Sequence, residues 1–379
     1  MKITAIELLR LRVPFSAGTD TREHPAIARA DDRFNAASPR HSAMESLIVQ
    51  VHTDCGLTGW GEAFGHGSNP VTFAALQQVI APMFIGLDLA DREAALEAAR
   101  KAVHGFGSTG PMVYGLSGID IALWDLAAQA AGQPLWQFLG GELRELELYA
   151  SLVSYGNDPA AVGYHVGRAR QAGFTKVKLH ETQYPAVLAA RQALPASEGQ
   201  LMVDVNCPWG ESEACQVARD WRELGLAWLE EPVWPPDDAH ALARVRRQGT
   251  RLSAGENAAG VEGIQALLDH QAVDVIQPSV AKVGGITAML EVFKRAQRTG
   301  TNVVPHCFYF GPGLLAVAHL CTLLPADVPV EVPFIEFEAL LYPELAFTPR
   351  LRLPERPGLG FAPDAQVLQR YRIDHARVG

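Results

Sequence analysis

Leu201-Met202-Val203-Asp204-Val205-Asn206, Ala227-Trp228-Leu229-Glu230-Glu231-Pro232 and Leu252-Ser253-Ala254-Gly255-Glu256-Asn257 decide the fold. Each is a short apolar run that closes on a carboxylate, as a buried strand ending at a polar mouth would. Asp204, Glu230 and Glu256 are 26 residues apart, twice over. That interval is about one strand–helix unit of a β/α barrel, which spends roughly 250 residues on eight units. Consecutive strands of such a barrel deliver their ends to one face. Three carboxylates delivered to one spot cannot all ionise without a cation between them. Hard oxygen ligands suit Mg²⁺. The spacing therefore predicts a divalent metal site on a barrel, and with it an enzyme.

Other runs fill in the barrel. Strands are expected at 146–152, 174–179, 201–205, 226–230, 251–255, 273–277, 301–305 and 329–336, with amphipathic stretches between them. The first 125 or so residues read differently. Strands at 2–12, 47–52 and 57–62 surround a polar stretch at 14–45, and helices follow near 71–84, 91–103 and 113–131. The organisation expected is an α+β capping domain over 1–128, a barrel over 129–350, and a segment at 351–379 that packs back on the cap.

Bulk properties narrow the function. The chain has 379 residues, 48% hydrophobic and 20% charged, as in ordinary globular proteins. A net charge of −10 argues against nucleic acid and anionic membranes as partners. It leaves a small anionic substrate open, since a metal and local lysines set the field of one pocket. Five scattered cysteines form no zinc pattern and point to a reducing, cytoplasmic setting. The amino end alternates like a strand rather than a signal peptide, and no run approaches a membrane span.

Neighbouring strand ends supply candidate acid/base groups. In Lys176-Val177-Lys178-Leu179-His180, alternation puts Lys176, Lys178 and His180 on one face. Two close lysines depress one pKa and make that amine a base. His306, in Val304-Pro305-His306-Cys307, ends another strand and flanks the metal from the other side. Glu231 is turned away from Glu230 by the same alternation. Asn206 and Asn257 are placed to orient ligands or contact substrate. Gly284-Gly285 is a weak phosphate-loop signal without a surrounding motif. Cys207 and Cys307 read as inert.

Taken in order, these motifs resemble the enolase superfamily, in its mandelate racemase/muconate-lactonizing branch. The likeness includes Gly59-Trp60-Gly61-Glu62, Asp120-Ile121-Ala122-Leu123-Trp124-Asp125, Lys176-Val177-Lys178, Asp204-Val205-Asn206, Glu230-Glu231-Pro232, Gly255-Glu256-Asn257, Lys282-Val283-Gly284-Gly285 and His306. The resemblance implies a (β/α)7β modified TIM barrel under an N-terminal α+β cap, and Mg²⁺ on Asp204, Glu230 and Glu256. It implies abstraction of the proton α to a substrate carboxylate, with metal stabilisation of the enediolate. It further implies Lys178 as base, Lys176 as the group that lowers its pKa, His306 on the opposite face, and Glu336 as the acid of strand eight, with Glu331 and Glu338 close enough to be alternatives.

One departure shapes the expected reaction. Ser279 stands where relatives carry an aspartate or a lysine at the end of strand six. A serine can hold a histidine tautomer by hydrogen bond but cannot stabilise imidazolium by charge. His306 without a carboxylate suits an acid assisting a leaving group, with His180 able to share that work. The expected activity is therefore Mg²⁺-dependent dehydration of a sugar acid, ahead of racemisation or epimerisation and of cycloisomerisation. The expected partner is a small carboxylate, and the expected assembly a homo-oligomer. Specificity is expected in the cap, from Arg22 and His24 in the polar stretch and from Phe64, His66 and Ser68 after the third cap strand.

Overall fold

The computed structural model describes residues 1–18, 37–38, 41–345 and 347–379. Arg22 and His24 lie outside these. Three cap strands, β1 (Ile3–Ser16), β2 (Ala43–Thr53) and β3 (Thr58–Ala63), form an antiparallel meander. The long helix Pro111–Ala130 lies against it. The contact is close because β3 carries glycines. A Cβ on Gly61 would stand 2.0 Å from the Gly118 carbonyl oxygen, and one on Gly59 2.3 Å from that of Ala122. The Gly-Trp-Gly pattern thus exists to let a helix backbone touch a sheet.

The barrel strands are β4 (Leu146–Ser151), β5 (Lys176–Leu179), β6 (Gln200–Asp204), β7 (Trp228–Glu230), β8 (Leu252–Ala254), β9 (Val275–Ile276), β10 (Asn302–Val303) and β11 (Val330–Pro333). They form one parallel sheet in the order β10-β9-β8-β7-β6-β5-β4-β11, so the last strand returns beside the first. This is the (β/α)7β architecture beneath an antiparallel cap. Alternation sorts the side chains. Tyr149, Met202, Trp228, Val275 and Val304 pack together inside the barrel. Leu201, Val203 and Leu229 face the helices and join the main core. Asp204 and Glu230, paired in register, end the inward rows.

Strand eight is shorter than the sequence suggests. The expected run 329–336 breaks after Pro333, and β12 (Glu336–Phe337) pairs with β1 of the cap instead. Proline offers no N–H to continue a ladder. Two further strands, β13 (Arg350–Leu351) and β14 (Arg372–Val378), pair antiparallel with β4 and β1 respectively. No helix among the described residues is long and apolar enough to cross a membrane.

Buried acids join the cap helix to the barrel. Asp120 accepts the Thr287 N–H at 3.0 Å and its hydroxyl at 2.5 Å. Asp125 accepts the N–H groups of Trp60 at 2.8 Å and Leu359 at 2.6 Å. Glu62 accepts the Gly313 N–H at 2.8 Å. Gly284-Gly285 belongs to this junction and is no phosphate loop. Gly284 N–H donates to the Ser117 hydroxyl at 3.0 Å, and a Cβ on Gly285 would meet Asp120 at 2.2 Å.

His319 ties three parts of the chain together. Its Nδ1 accepts the Trp136 N–H at 3.0 Å, and its Nε2 donates to the Leu359 carbonyl at 3.1 Å. Burial lowers its pKa to about 4. The unfolded chain takes up this proton near pH 6.5, the folded chain only near 4. Between those values the unfolded state binds more protons, so stability falls as pH drops through that window, by up to ~3 kcal/mol. His319→Gln keeps one donor and one acceptor but cannot titrate. From about pH 7 to about pH 4.5 the wild type should lose more Tm than the variant. Parallel Tm-versus-pH curves would contradict the assignment.

Candidate active site

A cavity of about 560 Å³ opens at the carboxyl ends of the strands. Asp204, Glu256, Asn206, Cys207, Glu231, Asn257, His180 and His306 line its floor. Phe64, His66, Thr109 and Tyr114 of the cap line its roof. Ser68 is not among the lining residues. It closes its own turn by donating to the Gly65 carbonyl.

Register explains which side chains reach this floor. Lys178 pairs with Met202 and Leu179 with Val203. Lys178 therefore sits in the layer of Met202 and Trp228, one step below the acids, while His180 stands level with Asp204. Lys178 is wholly buried and does not line the cavity. Its Nζ lies 2.7 Å from Glu331, 3.4 Å from Glu230 and 3.7 Å from Asp204. Burial alone would lower its pKa, but Glu230, Glu331, Tyr149 and Asp204 hold it well above the usual lysine value. The expectation of a depressed lysine base is thereby overturned.

Lys176 sits lower still. Its Nζ binds Glu147 at 2.9 Å and the Asp327 carbonyl at 3.3 Å. Two residues along a strand are roughly 6.6 Å, so a same-face lysine need not share a site. Lys176 cannot tune Lys178 from there.

His180 takes the position on the cavity instead. Its Nδ1 lies 2.5 Å from the Leu152 carbonyl oxygen, which can only accept. Nδ1 therefore carries a proton and donates there, and Nε2 is the nitrogen turned to the acid cluster, 3.5 Å from Asp204. His306 stands on the other flank, with Nδ1 2.8 Å from Glu256 and 3.3 Å from Glu331. Burial opposes its protonation, but Glu256 and Glu331 raise its pKa. Ser279 does not orient His306 by side chain. The two meet only through a backbone bridge, and the Ser279 hydroxyl is bonded to Tyr309. The carboxylate missing at 279 is replaced by Glu331 from β11.

Glu336 is likewise corrected. It is exposed on the cap edge and paired to Arg168 at 2.5 Å. Glu331 is fully buried and accepts the Cys307 N–H at 2.8 Å. Burial would raise its pKa, but Lys178 and then His306 pull it well down. Glu231 also departs from expectation. Its φ of 47° breaks strand alternation and brings it to the cavity wall. There its Oε2 accepts Asn257 at 2.6 Å. Asn206 donates to Asp204 from both its backbone and its side-chain amide, each at 2.9 Å.

Lys282 is a cavity residue that strand reading passed over. It is 5% exposed, donates to Asn257 Oδ1 at 2.6 Å, approaches Glu256 at 3.5 Å and lies 4.6 Å from the Phe64 ring. Its signals were its place just past a strand end and the Lys282-Val283-Gly284-Gly285 motif, to which no role was given.

The donor set fits a hard divalent cation. Glu230, Glu256 and His306 offer ligand atoms within 4.8 Å of one another. Asp204, the third acid expected, is not in that group; it stands beside Glu230 in register and shares Lys178 with it. Glu230 is pushed up to about 7 by burial and by Asp204, Glu331 and Glu256, despite Lys178. One lysine is too little positive charge for this cluster, and a dication adjacent to Glu230 would relieve it. Glu230→Gln removes one of those charges and one hard ligand. A few millimolar Mg²⁺ should raise the Tm of the wild type. That increment should vanish in the variant, whose melting in EDTA should be no lower than wild type. A retained increment would exclude Glu230 as a ligand.

Two families of known sequences match the chain. "Mandelate racemase / muconate lactonizing enzyme, N-terminal domain" covers residues 27–140, and "Enolase C-terminal domain-like" covers 162–367. The chain is 29% identical to D-galactarolactone cycloisomerase of Agrobacterium fabrum, covering 94% of this chain and 98% of that protein. It is 24% identical to arabinonate dehydratase of Saccharolobus solfataricus, covering 87% and 91%. L-talarate dehydratase from Polaromonas sp., crystallised with Mg and L-glucarate, superposes with a TM-score of 0.78 at 24% identity, covering 100% and 99%.

Proposed function

Because the chain belongs to the mandelate racemase/muconate lactonizing branch of the enolase superfamily, we propose that it dehydrates a sugar-derived hydroxy acid through loss of the proton α to its carboxylate. The observation that carries this reading is the placement of two imidazoles at opposite flanks of the acid cluster, one ring held by a backbone carbonyl and the other by two carboxylates. His180 turns Nε2 to the cavity, its ring held by the Leu152 carbonyl. His306 is held toward its protonated form by Glu256 and Glu331. A base on one flank and an acid on the other suit elimination better than a symmetric exchange of protons. The sugar-acid dehydratase and lactone cycloisomerase among the relatives support the substrate class.

Mg²⁺ on Asp204, Glu230 and Glu256 would supply the charge against which a substrate carboxylate can take up a second negative charge. The protein's own groups do the proton work. His180 Nε2 takes the α-proton, and the C–H electron pair moves into the substrate. The β C–O bond then breaks, and His306 gives its proton to the departing hydroxyl, releasing water. The resulting enol tautomerises to a 2-keto acid. If Glu256 held the cation, Glu331 would be the carboxylate left to His306. Lys178 stays protonated throughout and offsets the buried acids from beneath.

A cycloisomerase uses the same first step but expels a ring oxygen, and the 29% identical relative favours it as the second reading. Products separate the two. Aldonates and aldarates should give keto acid and water, whereas a cycloisomerase should act only on lactones or ring ethers. A racemase would give epimer and no keto acid. In D₂O the wild type should exchange or lose the α-proton, and His180→Asn should cut that by about 10²-fold or more. Undiminished exchange in the variant would return the role of base to a lysine.

A further inference from the structure

Glu181 is a buried acid that the proton transfers above leave unused. It follows His180 past the end of β5 and is 1% exposed. The turn after β4 closes on its carboxylate. Oε1 accepts the Tyr155 N–H at 2.5 Å, and Oε2 accepts the Asn157 N–H at 2.6 Å and the Ser154 hydroxyl at 3.4 Å. Asn157 returns the contact from a left-handed backbone, with a φ of 61°. Its Oδ1 accepts the N–H groups of Thr182 at 2.7 Å and Gln183 at 2.9 Å. The Leu152 N–H donates to the Lys178 carbonyl at 2.9 Å. Residues 152–157 and 178–183 are thus laced together around His180.

His180 depends on that lacing. Its Nδ1 donates to the Leu152 carbonyl at 2.5 Å, so the group that holds the ring belongs to the segment that Glu181 holds. Burial pushes Glu181 up to about 7, against the pull of the Tyr155 and Asn157 N–H groups and of His180. An enclosed carboxylate works against folding at this point. What it adds is acceptors. Its two oxygens receive Tyr155, Asn157 and Ser154, where an amide of the same length offers one oxygen. We propose that Glu181 is the positioning residue of His180. By drawing the Tyr155 and Asn157 amides to the end of β5, it sets the Leu152 carbonyl against Nδ1 and aims Nε2 into the cavity. This rests on the reading above only in giving His180 the α-proton.

Imidazole spectra test it apart from turnover. In protein carrying isotope-labelled histidine, the His180 Nδ1–H bonded to Leu152 should give a slowly exchanging resonance, assigned by its loss in His180→Asn. Glu181→Gln keeps length and volume but loses the charge and one acceptor. It should broaden or abolish that resonance while leaving the melting increment from Mg²⁺ unchanged. Its kcat for loss of the α-proton in D₂O should fall about tenfold or more, with KM moved by less than about threefold. Glu181→Asp, a methylene shorter, keeps the charge and should sit between the wild type and Glu181→Gln. An unchanged resonance in Glu181→Gln, a wild-type resonance and rate in Glu181→Asp, or a loss of rate accompanied by loss of the Mg²⁺ increment would overturn the proposal. If His180→Asn keeps α-proton exchange, the reading of His180 as base fails, while a resonance lost in Glu181→Gln still upholds the positioning. If exchange falls in His180→Asn but not in Glu181→Gln, the base stands and the positioning is sunk.

Discussion

Lys178 is the charge around which the barrel mouth is organised. It is fully buried among Glu331, Glu230 and Asp204, on three different strands. An isolated ammonium in that position would lose its proton, and the isolated acids would gain theirs. Together they keep Lys178 protonated and Glu331 ionised, while Glu230 is still pushed up to about 7. The arrangement does not by itself favour folding by much, since buried ion pairs barely offset their desolvation. It sets geometry. Three strand ends are drawn to one point, leaving Glu230 oxygens beside Glu256 with charge in excess. The metal site is the remainder of an electrostatic sum whose first term is this lysine.

The cap depends on the same economy of buried charge. Asp120, Asp125 and Glu62 are carboxylates enclosed where helix, meander and barrel meet, and burial raises each of them. Their partners are largely backbone N–H groups, which cannot be exchanged for other residues by mutation. The roof of the cavity is therefore fixed to its floor by contacts that specify position rather than sequence. Phe64 then meets Lys282, which in turn approaches Glu256, so roof and floor are linked through that lysine.

Much of this was readable in the chain. The 26-residue interval of three strand-terminal acids announced the barrel and the acids at its mouth, because strand ends and polar mouths follow from alternation and length alone. What failed was depth. Period two told that Lys176, Lys178 and His180 share a face, but not which stands at the mouth, since level depends on stagger between strands. Glu336 seemed the acid of strand eight because Pro333 was read through, and a proline ends a ladder that apolar composition would continue. Glu231 was turned outward on paper because its left-handed backbone has no signature in its own letters. Ser279 looked like a missing charge, and Glu331, arriving from a strand remote in sequence, had already filled it. Arg22 and His24 remain outside the described residues.

One consequence concerns the seam of the barrel. No backbone ladder joins β10 to β11 among the described residues, and the Cys307 N–H donates to the Glu331 carboxylate instead. Elsewhere around the ring, amide protection against hydrogen exchange is a matter of main-chain pairing and global stability. At Cys307 it is tied to the charge of a side chain that also serves Lys178 and His306. A single amide thus reports, from within an otherwise inert sheet, on the ionic state of the active site.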